Sequence, residues 1–289
     1  MLTDRFAPSP TGELHLGHAF SAWLGWSGAR AAGGRFLLRI EDLDRERARP
    51  EHVAGILRDL AWLGIDWDGE VLFQSSRLAA YAAALATLGV RGLTYRCTCS
   101  RRDIAEAASA PQEGGAAAHG PDGIVYPGTC RGRPAGDGPA AIRLDLAAAI
   151  AALGGAAAVG RLGFTEHDAG PDGETGRIML DPAALLAATG DIVLRRRDGA
   201  PAYHLAVVLD DAFQGVTRVT RGRDLFAATP VQRLLQAALG LPEPEYRHHR
   251  LIRDASGRRL AKRDRDLSVA ALRAAGATPR EILAGLGVV

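Results

Sequence analysis

The sequence predicts an α/β fold, a parallel-sheet domain built in two halves with an insertion between them. Three observations predict it. A strand, a helix and a second strand follow one another within the first forty residues. The middle of the chain then breaks into Ala-, Gly- and Pro-rich sequence, and all three cysteines fall in this region. Near Asp191 the apolar runs and turn signals resume. A βαβ unit means a parallel pair joined by a right-handed crossover. Ligands of such sheets bind at the carboxyl ends of the strands.

Leu2 to Ala7 reads as the first strand, and Pro8 and Pro10 forbid its continuation as a ladder or a helix. From His18 to about Ala32, the residues Ala19, Trp23, Trp26 and Ala29 recur at helical spacing until Gly33-Gly34 stops them. Arg35 to Ile40 is the second strand, and it ends in Glu41. Pro50 opens a helix with Val53, Ile56, Leu57, Leu60 and Leu63 as its buried stripe and Gly64 as its stop. Another helix runs from about Arg77 to Leu88. Ala105 to Gly123 reads as an irregular insertion, and Ala147 to Gly160 is ambiguous between helix and loop. Asp191 to Arg197 reads as a strand, Asp198-Gly199 as a hairpin turn, and Ala202 to Leu209 as the returning strand. Val216 to Arg221 is a further strand, Thr229-Pro230 caps a helix that ends at Gly240, and two short helices close the chain. The expected organisation is Rossmann-like, with residues 1–96 as the first half, 97–190 as the insertion and 191–289 as the second half.

The chain has 289 residues, 47% of them hydrophobic, which is enough to bury a sizeable core. No apolar run approaches the ~20 residues of a membrane span, and no signal-peptide pattern opens the chain. The expectation is a cytoplasmic protein with no membrane partner. A net charge of +2 does not by itself indicate a nucleic-acid binder. The basic residues are nevertheless gathered: Arg247, Arg250, Arg253, Arg258, Arg259, Lys262 and Arg263 lie between Tyr246 and Arg263, with Asp254 the only acid. A solvated basic face is the plain alternative for that run, and chance could by itself account for Lys262, the one lysine beside 34 arginines.

The most informative segment is Arg5-Phe-Ala-Pro-Ser-Pro-Thr-Gly-Glu-Leu-His-Leu-Gly-His18. His15 and His18 stand three residues apart where the first helix begins, on one side of it. Unpaired N–H groups and the positive end of the helix dipole suit polyphosphate there. Gly12 and Gly17 allow the backbone to approach a ligand. Two surface histidines on an ordinary strand–turn–helix would be the plain alternative. The whole string is more specific than that, and it resembles the HIGH signature of class I aminoacyl-tRNA synthetases in its glutamyl branch. The resemblance implies that His15, Gly17 and His18 bind ATP, as its Mg2+ complex, with both histidines steadying its phosphates while an amino-acid carboxylate attacks the α-phosphorus. Arg259-Leu-Ala-Lys-Arg263 resembles the KMSKS loop of the same class, with Lys262 at its second lysine. An ammonium can follow phosphate charge as pyrophosphate leaves. Arg259 and Ala261 depart from that pattern.

The resemblance extends to the amino-acid pocket. Glutamate has an ammonium that needs a carboxylate and a γ-carboxylate that needs arginine. The family pattern is met by Arg5, Ala7, Ser9, Glu41, Tyr203 and Arg221, each of which alone could be a surface or packing residue.

Cys97, Cys99 and Cys130 are an odd number in one small region, which argues against a disulfide framework and for a structural zinc site over buried thiols. Three thiolates leave a fourth position open. His119 is the first choice on chemistry. Tyr126-Pro-Gly-Thr-Cys130 after a Cys-x-Cys resembles the zinc motif of the glutamyl-Q tRNA(Asp) synthetases, which implies Tyr126 instead.

The likeness to that family covers nearly the whole chain. It implies a monomer that activates L-glutamate with ATP and esterifies it to the queuosine of tRNA(Asp). Only 27 residues follow Lys262, so no anticodon-binding domain is expected. A shortened glutamyl-tRNA synthetase, a noncatalytic zinc/RNA-binding module and a related nucleotidyltransferase are the competing readings.

Overall fold

The computed structural model describes residues 1–109, 118–121, 123–134, 138–253 and 268–288. Its first strand, β1 (Thr3–Phe6), is followed by α1 (Leu16–Ala31) and β2 (Arg35–Ile40). β1 and β2 pair in parallel with Arg5 opposite Leu37, so the expected βαβ unit is present. α2 (Pro50–Trp62) starts on a proline whose missing N–H has no partner to lose in a first turn. It buries Ile56 and Leu60 of the expected stripe, with Leu63 just beyond. β3 (Leu72–Phe73) adds a third parallel strand beside β2. α3 (Leu78–Val90) then turns Tyr81, Ala84 and Leu88 inward.

The middle of the chain contains β4 (Thr94–Cys97), α4 (Arg101–Ser109), β5 (His119–Gly120), β6 (Gly123–Ile124) and β7 (Ala141–Leu144). After these come α5 (Leu146–Ala152), α6 (Ala156–Val159), β8 (Gly163–Glu166), β9 (Gly176–Met179), α7 (Pro182–Ala184) and β10 (Val193–Arg195). The last part holds α8 (Tyr203–Phe213), β11 (Arg218–Gly222), α9 (Thr229–Leu239), β12 (Glu245–His249), α10 (Val269–Ala274) and α11 (Pro279–Gly285).

Three readings of local structure need correction. Ala202 to Leu209 is not a returning strand. The chain turns at Asp198-Gly199, bridges Pro201 back to Arg195, and enters α8. A short apolar run rich in Val and Leu has no periodicity that separates a strand from a helix buried on most sides. Here His204 to Val208, Asp210 and Asp211 are all buried, as such a helix requires. The region from Ala105 is helical as far as Ser109, and the ambiguous Ala147 to Gly160 stretch is two short helices. Thr229 does not cap α9 but is its first residue, and Gly240 closes it in the left-handed conformation at φ 66°.

The sheet pairing divides the chain differently from boundaries at 97 and 190. β4, β7 and β10 form one antiparallel sheet in the order β10-β7-β4, so it reaches from Thr94 to Arg195. β8 and β9 lie inside the 97–190 segment yet join β11 and β12 in a four-stranded sheet, ordered β11-β12-β8-β9.

That sheet and the β1-β2-β3 sheet meet edge to edge where β1 faces β11. Thr217 N–H donates to the Thr3 carbonyl at 2.9 Å, and Thr3 N–H donates to Thr217 Oγ1 at 2.9 Å. One residue further, the buried Asp4 carboxylate accepts from Thr220 Oγ1 at 2.6 Å and Thr220 N–H at 3.2 Å. The combined order runs outward from this seam in both directions. Such a switch point opens a crevice at the strands' carboxyl ends, and Arg5 and Arg221 stand on its two sides.

Two large cores flank the seam. One surrounds α1, β2 and α2 and includes Val269, Ile282 and Leu286 from the last two helices. The other joins α3, α5, α8 and α9. No helix among the described residues is long and apolar enough to cross a membrane.

Asp4→Ala would strip two buried donors of Thr220 of their acceptor. Each orphaned group costs on the order of 1–3 kcal/mol, so unfolding stability should fall by about 2–4 kcal/mol. Chemical denaturation read by fluorescence checks this, and an unchanged midpoint would show that the seam does not need the carboxylate.

Candidate active site

The crevice is a cavity of ≈ 250 Å³. Its wall includes Arg5, Ala7, Ser9, Glu41, Tyr203 and Arg221 together with His15, Gly17 and His18. Every glutamate-pocket and histidine candidate from the sequence therefore borders one space. Lys262 lies outside the described residues. The described residues that flank it are close by: Ile252 lines the cavity, and Ser268 bridges to His15.

His15 and His18 cap α1 reciprocally. His15 Nδ1 accepts from Gly17 N–H at 3.1 Å and His18 N–H at 3.3 Å, and His18 Nδ1 accepts from His15 N–H at 3.2 Å. The rings stack with centroids 3.7 Å apart. Both Nδ1 atoms act as acceptors, so each neutral ring carries its proton on Nε2, as a donor suited to phosphate oxygen. Gly17 makes this possible, since a Cβ there would stand 3.0 Å from His15 Cε1.

Arg5 sits at the end of β1 and is 5% exposed. Its Nε donates to Asp211 at 3.1 Å and Nη1 to the Thr220 carbonyl at 3.2 Å. Asp211 also accepts from the wholly buried Arg39 at 2.7 Å, and Arg39 reaches Glu41 at 3.3 Å. Burial pushes the Asp211 carboxyl up, but Arg5 and Arg39 outweigh it and hold the group below its ordinary value. For Glu41 the balance goes the other way. Burial raises it even against Arg39 and Arg5. A ligand ammonium arriving there would favour the ionised form.

Arg221 stands across the cavity at the end of β11, also 5% exposed. Nε donates to His248 Nε2 at 3.0 Å, Nη1 to Gln232 Oε1 at 2.9 Å and to Tyr203 Oη at 3.4 Å, and Nη2 to Thr229 Oγ1 at 2.8 Å. His248 faces it because the parallel register pairs the two residues. Beyond His248, Glu166 at the end of β8 accepts from His248 Nδ1 at 2.5 Å and from its backbone N–H at 2.8 Å. Burial drives the His248 pKa down to about 4 despite Glu166. Burial pushes Glu166 up, but the hydrogen bonds from His248 outweigh it and lower the carboxyl.

Sequence reasoning missed Asp211, Arg39, Gln232, His248 and Glu166. His248 and His249 fall within the basic run from Tyr246 to Arg263, and both are buried in β12. Arg247 in that run is paired with Asp168, and Arg250 donates to the Leu286 carbonyl. Glu166 and His248 are 82 positions apart, so no local spacing marks them as partners.

The three cysteines converge as expected. Their Sγ atoms lie within 4.8 Å of one another, and Cys99 and Cys130 are 3.4 Å apart. The Tyr126 hydroxyl stands 3.4 Å from Cys97 Sγ and 3.6 Å from Cys99 Sγ. This donor set fits a tetrahedral ion with thiolate bonds of ~2.3 Å, and the cluster can hold a metal. The alternative His119 is exposed on β5 and is not part of the cluster. Tyr126 is steadied by the Arg143 guanidinium, 3.9 Å over its ring. Asp191 holds the loop after Cys130 through Arg131 Nη2 at 2.5 Å.

The family model described as the catalytic domain of class I tRNA synthetases (E and Q) matches residues 1–125 and 165–289. The chain belongs to this family. It is thus a ligase of the aminoacyl-tRNA synthetase type. This synthetase is 55% identical to the glutamyl-Q tRNA(Asp) synthetase of Rhodobacter capsulatus, across 99% of this chain and all of that one. It is 45% identical to the protein of the same name from Nocardia farcinica, across 97% of this chain and 82% of that one. Among solved structures it resembles a glutamate tRNA ligase from Elizabethkingia meningosepticum in complex with its amino acid, with 26% identity and a TM-score of 0.69. That match covers 92% of this chain, which spans about half (52%) of the solved one.

The buried pair makes stability fall in acid. His248 resists in the folded state a proton that the unfolded chain takes up at pH 6.5, so its contribution is whole above pH 6.5 and is lost as pH falls toward 4. Glu166, also lowered, adds a loss in the same direction. The His248 part is on the order of 3 kcal/mol. Denaturation at pH 7 and pH 4.5 should show a smaller acid loss in His248→Gln than in the wild type.

Proposed function

We propose that this synthetase activates L-glutamate with Mg2+–ATP to glutamyl-adenylate without requiring tRNA, then transfers the glutamate to the queuosine cyclopentenediol at the wobble position of tRNA(Asp). The observation that carries the reading is one cavity bordered by the paired histidines and by Arg5, Glu41 and Arg221. Identity of 55% to a protein of that name over both full lengths supports the choice of acceptor.

In this reading the glutamate α-ammonium pairs with Glu41, while Ala7 and Ser9 border the amino-acid end of the cleft. Arg221, with Tyr203 alongside, receives the γ-carboxylate. The α-carboxylate then attacks the α-phosphorus and pyrophosphate leaves. Nε2–H donors of His15 and His18 stabilise charge on the phosphates, and Gly17 leaves room for the approach. Lys262 is the mobile ammonium that accompanies the departing pyrophosphate. The metal is zinc, held by Cys97, Cys99, Cys130 and Tyr126, and it organises the insertion rather than reacting. The enzyme works as a monomer in the cytoplasm.

Purified without chelators, the protein should contain one zinc per chain, and Cys99→Ser should lose it. Atomic absorption of both proteins decides, and a wild type without zinc would refute the metal assignment.

Glutamate-dependent ATP–pyrophosphate exchange should proceed with no tRNA present. Labelled glutamate should then attach to tRNA(Asp) that carries queuosine and not to tRNA(Asp) that lacks it. Equal labelling of the two would favour charging of a tRNA 3′ end, as in a shortened glutamyl-tRNA synthetase. No exchange with any amino acid would leave the noncatalytic reading.

A further inference from the structure

Arg221 is surrounded by neutral groups. Its donors go to an imidazole, an amide oxygen, a phenol and an alcohol, and among the described residues it has no carboxylate within ion-pair distance. Arg5 and Arg39, by contrast, share Asp211. A buried guanidinium beside a carboxylate would already be compensated. Beside neutral acceptors it is held in place with its charge still available to a ligand.

The hydrogen-bond geometry assigns the histidine's proton. Arg221 Nε–H can only donate, so His248 Nε2 must present a lone pair. Thr229 Oγ1, which accepts from Arg221 Nη2, is 3.3 Å from the same Nε2 and can donate its own hydrogen there. The His248 proton is then on Nδ1, where Glu166 accepts it. Tyr246 stacks on His248 with ring planes 3° apart, and the Phe226 ring meets it edge-on at 5.1 Å, so the imidazole is packed between two aromatic rings. The register explains the row. Glu166 pairs with Tyr246, His248 lies two residues on along the same face of β12, and Arg221 is its neighbour on β11.

From this arrangement we infer that Glu166 and His248 are positioning residues that fix Arg221 and so set the preference for a carboxylate over a carboxamide side chain. The inference rests on the proposed glutamate pocket. The logic is that of a carboxylate behind a metal-binding histidine, which fixes the tautomer and strengthens the ring as a base. Here the cation is a guanidinium. The imidazole separates the Glu166 charge from Arg221, so the arginine is oriented without being neutralised by direct contact. A ligand carboxylate gains a charge-assisted bond from the one Nη2–H that these partners leave, and a second where it displaces the 3.4 Å contact of Nη1 to Tyr203. A carboxamide offers one neutral oxygen and a donor that finds no acceptor on the arginine.

Glu166→Gln tests this at one atom. The glutamine oxygen can keep the backbone N–H of His248, but its amide donor then faces Nδ1. The ring must move its proton to Nε2, where it opposes Arg221 Nε–H. The KM for glutamate in pyrophosphate exchange should rise by about 10- to 100-fold, the range for removal of a carboxylate behind a ligating histidine. The KM for ATP should stay within about twofold. His248→Ala should act likewise, while His248→Gln, whose amide oxygen reaches the Nε2 position, should recover most of the loss. In the wild type, nitrogen-15 NMR of His248 at pH 7 should show a protonated Nδ1 and an unprotonated Nε2. That spectrum decides even if a variant fails to fold, since an Nε2–H ring or an imidazolium would overturn the inference. Arg221→Lys separates the two levels. If it leaves the glutamate KM unchanged, the pocket reading itself fails. If it raises that KM while Glu166→Gln and His248→Ala do not, only the positioning role fails.

Discussion

The structure depends on how β1 and β11 are joined. Two half-sheets that meet without a full backbone ladder would leave buried donors unpaired, at a cost comparable to a lost hydrogen bond for each. Asp4 supplies the missing acceptors, taking both the hydroxyl and the backbone N–H of Thr220. Its neighbour Arg5 crosses the same seam to the Thr220 carbonyl. The polar atoms that bind the halves together therefore also define the floor of the cavity, because Thr220 and Arg221 are consecutive. A change in the seam would move Arg5 relative to Arg221.

Charge is distributed unevenly around that floor. On one side Arg5, Arg39, Asp211 and Glu41 form a connected network of two guanidinium and two carboxyl groups. Burying such a set is favourable only when its members are mutually paired and hydrogen-bonded, which they are. On the other side Arg221 has only dipoles as partners. The asymmetry suits a ligand with a cationic group at one end and an anionic group at the other. α8 serves both sides, since Tyr203 at its start reaches Arg221 while Asp211 near its end reaches Arg5 and Arg39. An extended strand of the same residues would spread them over roughly 26 Å at ~3.3 Å per residue, whereas a helix keeps them within about 12 Å.

Much of the site was legible because its signals are local. The Pro-Ser-Pro-Thr-Gly turn, the two histidines and Gly17 lie in one short string, and the place of the histidines at the helix start follows from that spacing, while their reciprocal capping is seen only in the structure. Cys97, Cys99, Tyr126 and Cys130 are close in sequence and meet in space. The misread segment at Ala202 to Leu209 lacked such a signal. Its apolar residues face neighbours on most sides, so burial erased the periodicity that would have marked a helix. The start of the basic run carries no sign of burial in its composition, yet β12 is an interior strand paired on both edges by β11 and β8.

By itself the sequence determined the βαβ opening, the histidine pair at a helix start, the cysteine cluster and the candidate residues of the cleft. The first three follow from spacing within a few tens of residues, which turn, helix and strand geometry convert directly into position, whereas the cleft residues, spread from Arg5 to Arg221, came from the family resemblance. Tertiary structure alone decided which polar groups support them. Asp211 joins Arg5 to Arg39, and Glu166 reaches Arg221 through His248, across separations of 206, 172 and 82 positions. Sheet order and register create those contacts. The order places β8, β12 and β11 side by side, and the register brings Glu166, His248 and Arg221 into one row. The physical reason is that a buried charge must find its partner wherever the fold brings one, and that pairing leaves no periodic trace along the chain.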